Sequence, residues 1–445
     1  MSGDTGSPGS EPGPSSPGIV PRVLRQDHEN YAVSFFFDNY LLPRDPAVQN
    51  GFLECVYPVW TQAAPTSPLR PAVLAVALCL LEAWSFVNPN SPESLARPYY
   101  LQGLAAVRQR LEDSGEISDD LIMAPLMLEM YDAVTAFCGS RVHVAPHITG
   151  TRALIKGRRK PLFDNETSQR ILLGLRGYIV GRAIRSKETV ADDVSTWGTI
   201  TQSVPKTEAF QLEELDIEVA NLQASMPNPL TVSGTSSLLV SGALANAQNL
   251  DQRLTGWANA IPEDWNPTMV SGPECIPETI RSAGLYQPYC HVYRSIQVAN
   301  TLNGYRCSRL KIQLMILDCL NHLDPHHHHH YPPSSSSSET IRSNASQIIQ
   351  EMADAICASV PFFLGDRVHA HRMDDRTVQY PHLQGQDVPR EHYSAAGAYA
   401  GIFLTQRLGQ LLQPGLPLRE GQWQWALGQM LRVKRVYRVE AESTS

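Results

Sequence analysis

The chain has 445 residues, 42% of them hydrophobic and 18% charged, and a formal net charge of −8. That balance supplies a globular core and argues against a surface built mainly for nucleic acid, since phosphate neutralisation needs a basic excess. The length exceeds the roughly 250–300 residues at which single cores stop growing, so two lobes or an extended helical array are expected.

Residues 1–22 are rich in Pro, Gly and Ser. They cannot bury enough apolar surface to offset ordering entropy, so residues 1–25 read as a disordered linker, with order beginning near Asp27. The domain that follows runs over 26–440, with a short tail at 441–445. From Glu29 to Leu42, Tyr31, Phe35, Phe36 and Tyr40 recur at helical steps, and Pro43 stops the run. Pro71 opens a helix to about Val87 that is apolar nearly all round and therefore central. Ser94–Leu111 gives a third helix. Ser118, Asp119 and Asp120 start a fourth that reaches Phe137 with Pro125 in its first two turns.

His147–Lys156 and Thr167–Ile184 read as helices, 186–207 as a polar loop, and Glu208–Met226 as helix again. Leu250, Leu254, Trp257 and Ile261 share one face of a helix over Leu238–Ile261 that Pro262 ends. A long periodic stretch follows from Tyr286 to Leu323. The segment 324–338, with His326–His330 and a serine run, reads as a low-complexity loop. Helices over Thr340–Pro361, Ser394–Leu412 and Arg419–Tyr437 complete the chain, separated by a polar loop at 365–391. No alternating strand pattern and no fixed repeat stands out. The expected fold is all-α, a large multi-helix array or two-lobed domain of antiparallel helix pairs.

Chemistry is sparse. The eight cysteines lie at least five positions apart, without the near-neighbour pairs that a metal cluster needs, and read as buried reduced thiols. No secretory leader pattern opens the chain, and the longest apolar run, Ala72–Leu81, falls short of the about 18–20 residues that span a bilayer. A soluble intracellular protein is expected. There is no G-x-G-x-x-G after a strand, P-loop, H-E-x-x-H or G-x-S-x-G. Asp119/Asp120 and Asp374/Asp375 read as helix caps. The histidine run has no carboxylate or thiol partner at fixed spacing, and a mobile loop imposes no coordination geometry. His143 and His147 straddle Pro146, so His147 reads as structural. The basic clusters Lys156, Arg158, Arg159, Lys160 and Arg432, Lys434, Arg435, Arg438 read as solvated helix faces, the first alternatively as a nuclear-import signal. Trp257, Trp265, Trp423 and Trp425 read as core packing, with a ligand pocket between helices as the alternative.

The order of these pieces resembles the fungal-specific transcription factor domain, the regulatory region that follows a six-cysteine zinc cluster. The similarity covers most of 28–440. It is carried by Ala32–Tyr40, by Gly51-Phe52 with Tyr57-Pro58, by Leu121–Tyr131, and by His147, Gly150, Ala153, Leu154 and Ile155. In the second half it is carried by Leu254, Trp257, Pro262 and Trp265, by Asn303, Tyr305, Arg306 and Arg309, and most specifically by Ile356–Phe362 with Leu364-Gly365; Trp423–Leu431 matches the closing helix. The resemblance implies a nuclear, or nuclear and cytoplasmic, regulator of transcription by RNA polymerase II, acting on metabolic or secondary-metabolite genes. It would act as a homodimer or heterodimer with transcription factors, through co-regulators and a small effector.

The zinc cluster has no counterpart in this sequence, so no cofactor and no direct DNA contact is assigned to the chain; zinc would belong to a cluster upstream, and the linker-like start fits such a truncation. Arg306 and Arg309, three apart on one apolar helix, need acceptors and read as buried salt-bridge anchors or an anionic effector site; Trp257 joins them as a candidate anchor. The alternative function is a small-molecule enzyme of lyase or isomerase type on a helical fold, which should converge titratable groups in one pocket. No catalytic residue is assigned.

Overall fold

A computed structural model describes residues 22–41, 48, 51–85, 88–113, 116–139, 145–158, 163, 165–201, 203–226, 237–323, 336–370 and 375–437. The N-terminal low-complexity segment up to residue 21, the His326–His330 tract, His143, Arg159, Lys160, Asp374, Arg438 and the tail lie outside them. The described residues form fifteen α-helices and a single two-stranded sheet, an all-α fold.

α3 (Leu69–Trp84) is central because it has no polar face. Every residue from Ala72 to Glu82 except Leu74 is buried. α1 (Arg22–Tyr40), α4 (Ala96–Asp113) and α5 (Asp119–Cys138) pack around it. α5 is long and apolar enough to cross a membrane by length and composition, but most of its residues are buried against the protein. Two acids inside this core keep full sets of donors. Glu82 accepts from Ser94 Oγ at 2.8 Å and from the Leu95 amide at 2.6 Å. Glu129 accepts from Tyr178 Oη at 2.9 Å and from the His147 amide at 3.1 Å. The second bond fixes the start of α6 (Pro146–Gly157) against α5. His147 is structural as expected: Nε2 lies 3.2 Å from Asp132 and from Tyr100 Oη. Asp119 and Asp120, expected as caps, instead tie separate segments, Asp119 to Arg158 and Ser168 and Asp120 to Ser67.

The second half is a run of antiparallel neighbours. α9 (Glu208–Ser225), α10 (Ser237–Ala260), α12 (Ile296–Leu323) and α13 (Ser336–Leu364) pack in that order. Arg253 meets Glu218, Arg309 meets Asp251, Asn303 meets Ser359 and Arg342 meets Asn321, with partners running in opposite directions along each pair. Between α10 and α12 the chain forms a short hairpin, β1 (Thr268–Ser271) with β2 (Tyr289–Val292), in register Val270 to Cys290. α11 (Glu278–Gly284) fills its loop. The long helix expected from Tyr286 therefore starts only at Ile296, and the strands escaped notice because each is four residues long and three of the four in each are not fully buried. The polar stretch 186–207, expected as loop, carries α8 (Asp192–Ile200), whose buried Val194, Trp197 and Gly198 make a narrow inward stripe.

α14 (Arg390–Leu411) and α15 (Gln422–Val436) bring the chain back to its first helices. Tyr399 Oη donates to the Tyr40 carbonyl, and Tyr437 packs edge-on against Trp84 with ring centroids 5.8 Å apart. One contiguous core accordingly runs from Ala32 to Val436, where two lobes had been an option. Two other expectations change. Trp423 is 42% exposed and does not pack in the core. Arg432, read as part of a solvated basic face, is buried, and donates to the carbonyls of Arg367 and Gly365, both at 2.6 Å. Of the first basic cluster, Lys156 pairs with Asp193 and Arg158 with Asp119. All eight cysteines are free thiols and seven of them are buried.

Candidate functional site

The three candidate residues from the sequence sit at one joint but do different work. Trp257 on α10 donates from Nε1 to the Glu208 carbonyl at 2.9 Å and packs on Tyr305 at 5.4 Å, sealing α9 and α12 onto α10. Arg309 on α12 pairs with Asp251 at 2.9 Å, a half-buried anchor to α10. Arg306, one turn earlier, faces the other neighbour. Its Nη1 donates to Asn303 Oδ1 at 2.6 Å and to Tyr293 Oη at 2.8 Å, and Asn303 Nδ2 donates to Ser359 Oγ on α13 at 2.9 Å. Arg306 is thus a buried cation held by an amide and a phenol; among the described residues no carboxylate lies within ion-pairing distance of it. The salt-bridge expectation holds for Arg309 alone.

Tyr293 connects this joint to a cleft of about 640 Å³. Its ring and that of Phe362 line the interior, 5.2 Å apart between centroids. His392, in the first turn of α14, completes the aromatic wall, 4.5 Å from Phe362 and 4.5 Å from Tyr380. The walls come from the turn at Glu263–Asn266, the end of β2 and the start of α12, the end of α13 at Phe362, the loop 381–389 and the start of α14. Pro389 sets the loop-to-helix transition, because its ring fixes φ and its extended ψ of 144° aims α14 away from the loop.

The cleft is acidic at its mouth and neutral at its floor. Glu263, Asp264, Asp387 and Glu391 line it and are exposed; Arg294 pairs with Asp264 at 2.7 Å. His392 is only 7% exposed. Burial pushes its imidazole down to about 3; a hydrogen bond to the Phe362 backbone works the other way, and the Arg367 charge adds to the depression. The ring is therefore neutral at physiological pH. Its Nε2 is buried and has no hydrogen-bond partner. His291, behind Tyr293, is pushed down to about 4 by burial and by Arg306, and is neutral too.

A second cavity, about 300 Å³, lies where the C-terminal helices meet the first ones and is almost wholly apolar, with Trp84, Phe137, Ile402 and Tyr437 in its wall. Its one thiol, Cys138, is pushed up to about 11 by burial and is a poor nucleophile. Among the described residues no group of three or more His, Cys, Asp or Glu side chains is placed to hold a metal ion.

The residues that build the cleft were largely invisible to the sequence. Tyr293 falls inside the periodic stretch expected from Tyr286 to Leu323 with nothing to set it apart, and a single histidine shortly after a proline, as at His392, carries no distinguishing pattern. No family model, no curated protein and no solved structure matches this chain.

Proposed function

We propose that the chain is the helical regulatory and dimerisation domain of a zinc-cluster-type transcription regulator, working in the nucleus on transcription by RNA polymerase II, with the cleft over Tyr293 as its effector site. The observation that carries this reading is the Arg306 joint. The residues on which the resemblance rests, Asn303, Tyr305, Arg306, Arg309, Trp257 and Ile356–Phe362, interlock α10, α12 and α13 through named side-chain contacts, directly behind the cleft. A ligand that presses on Tyr293 or Phe362 acts on the same side chains that hold those helices together, which is what a two-state regulatory element requires.

Protein contacts have surface to use. Leu238 and Leu239 at the start of α10 are 86% and 66% exposed, and α4 presents Leu101 and Leu111 outward. These apolar side chains support docking of a second copy or a related regulator.

The test fuses the full chain to a heterologous DNA-binding module upstream of a reporter. A regulator changes reporter output, in either direction, and sediments as a dimer at micromolar concentration. Unchanged output together with a monomeric profile would sink the reading. The alternative, a lyase or isomerase, draws on His392 as a base in a cleft. An imidazole pushed down to about 3 is far from the near-neutral value at which general bases work best, which counts against it.

A further inference from the structure

Near the end of α7 (Glu166–Ser186), side chains from three helices bring five cations within range of one another's charge. Arg182 and Arg185 lie in the last turns of α7, Lys187 caps its C-terminal end, Lys311 comes from α12 and Arg407 from α14. The chain as a whole has a net charge of −8, yet none of the five forms an ion pair among the described residues. On α12, Asn300, Gly304, Cys307 and Lys311 share one face. Arg407 lies across that face: its Nη2 donates to Asn300 Oδ1 at 3.1 Å and stands 3.5 Å from where a Cβ at Gly304 would be. Its Nε is buried without an acceptor. Arg185 folds back over its own helix, with Nη1 3.3 Å from where a Cβ at Gly181 would be.

These groups stand in a recess and not on a solvated face. Arg185 is exposed to water, but protein crowds it closely enough that burial is the largest cause pushing its guanidinium down; the Arg407 and Arg182 charges add to the depression and Tyr178 opposes it. Lys311, half-buried, is pushed down by burial and by the Lys187 and Arg185 charges, with Cys307 opposing. A side chain that water reaches and protein still surrounds lies in a concavity. Nearby carboxyls do little to neutralise it. Asp216, on which the Arg407 charge acts, already accepts from Ser308 and is itself pushed up to about 7 by burial. Asp318, near Lys187, is also pushed up by burial.

We propose that this recess binds a compact oligophosphate, with Arg185 at its centre and Arg182, Lys187, Lys311 and Arg407 around it. Guanidinium forks match phosphate oxygens in pairs, and lysine adds point charge. Unmatched cations gathered around one point suit a small molecule carrying several negative charges. A nucleic-acid backbone calls instead for a basic stripe on a chain with a basic excess, and this chain has an acidic one. The site shares no residue with the cleft over Tyr293, so it stands or falls independently of the effector reading.

Tripolyphosphate is the probe, and citrate, with less charge in a similar volume, is the carboxylate control. Titration calorimetry on the full chain should show saturable tripolyphosphate binding that weakens as salt rises, and the melting temperature should climb with ligand concentration. R185Q and K311Q should each weaken binding by roughly tenfold or more. Ligand-free R185Q should melt no lower than the parent, because it removes a repelled charge and no ion pair; an arginine that only held the fold together would show the opposite. R108Q, which removes an exposed charge on α4, should bind as the parent does. The proposal is overturned if tripolyphosphate does not saturate, if citrate binds as tightly, if R185Q and K311Q bind as the parent does, if R108Q weakens binding as much as they do, or if ligand-free R185Q is destabilised. A single-stranded oligothymidylate that binds more tightly than tripolyphosphate, and is lost in R185Q, would overturn it in favour of a nucleic-acid surface.

Discussion

At the scale of single residues, the buried titratable groups fall into two sets with opposite pH behaviour. Asp216 on α9 accepts from Ser308 Oγ at 2.6 Å, and burial pushes its carboxyl up to about 7, with Ser308 and the Arg407 charge opposing. A carboxyl whose folded value lies above its unfolded one binds its proton more tightly in the native state. Stability is therefore lost as pH rises from the ordinary carboxylate range to about 7, the loss is complete above that, and it is recovered as pH falls back. His392 and His291 have the other sign: both are depressed, so the unfolded chain takes up their protons first and stability is lost as pH falls below about 6.5. Asp216→Asn keeps an acceptor for Ser308 and removes the charge. It should be more stable than the parent at pH 8 by about 1 kcal/mol, a figure discounted because Asp216 retains some exposure. The two denaturation midpoints should converge only as pH falls to about 4 or below, the ordinary carboxylate value. A variant that is destabilised equally at both pH values would show that Asp216 is ionised in the native state.

Elements explain both what the sequence disclosed and what it hid. α3 was legible because an uninterrupted apolar run has only one place to go, the interior. α5 and α10 were legible because their start and stop residues agree with their periodicity. α8 was missed because its inward stripe is three residues wide, and the hairpin because a four-residue strand offers too few alternations to see. Arg432 was misread for a related reason: a cluster of basic residues carries no mark that one member turns inward to meet two carbonyls. The cleft lay further out of reach, since its walls come from segments more than a hundred residues apart and only packing assembles them.

Close packing between elements also yields a sharp test. α7 (Glu166–Ser186) crosses the turn Gly51–Cys55 at Gly174, where an added Cβ would sit 2.2 Å from the Phe52 amide nitrogen. Backbone cannot yield as a side-chain tip can. Gly174→Ala should lower the denaturation free energy by about 1–3 kcal/mol or more, despite the higher helix propensity of alanine. The control is Gly150→Ala in α6, where the new methyl meets nothing within 4 Å. If the two variants unfold at the same denaturant concentration, the contact between α7 and the turn is looser than described.

Across the described residues one large core dominates, with small satellites around Val270–Cys290 and around Leu173, Val204 and Phe210, and the helices that close the large core come last. The cleft and the apolar cavity sit on either side of α14, one at its first turn and the other along Ala398, Gly401, Ile402 and Thr405. That helix is buried along most of its length, with Ala395–Gly401, Leu404, Leu408 and Leu411 inside. A shift at one end of so rigid a body has few ways to be absorbed before it reaches the other, so the two cavities are arranged to sense one another.

The bond from Tyr399 to the Tyr40 carbonyl joins positions 359 residues apart in the chain. During synthesis the ribosome releases α1 and α3 long before their covering helices exist. At roughly 5–20 residues per second the first helices wait tens of seconds with their apolar sides uncovered. Nascent chains of this protein should therefore engage holding chaperones from the emergence of α3 until α15 clears the exit tunnel. A chain stopped at Pro389, before α14, should stay chaperone-bound or aggregate, whereas the full-length product should be released. Ribosome-bound intermediates of defined length, probed by crosslinking to the chaperone, would show the contact persisting through α13 and disappearing only after Val436; release before α14 emerges would mean that the first helices complete their packing without it.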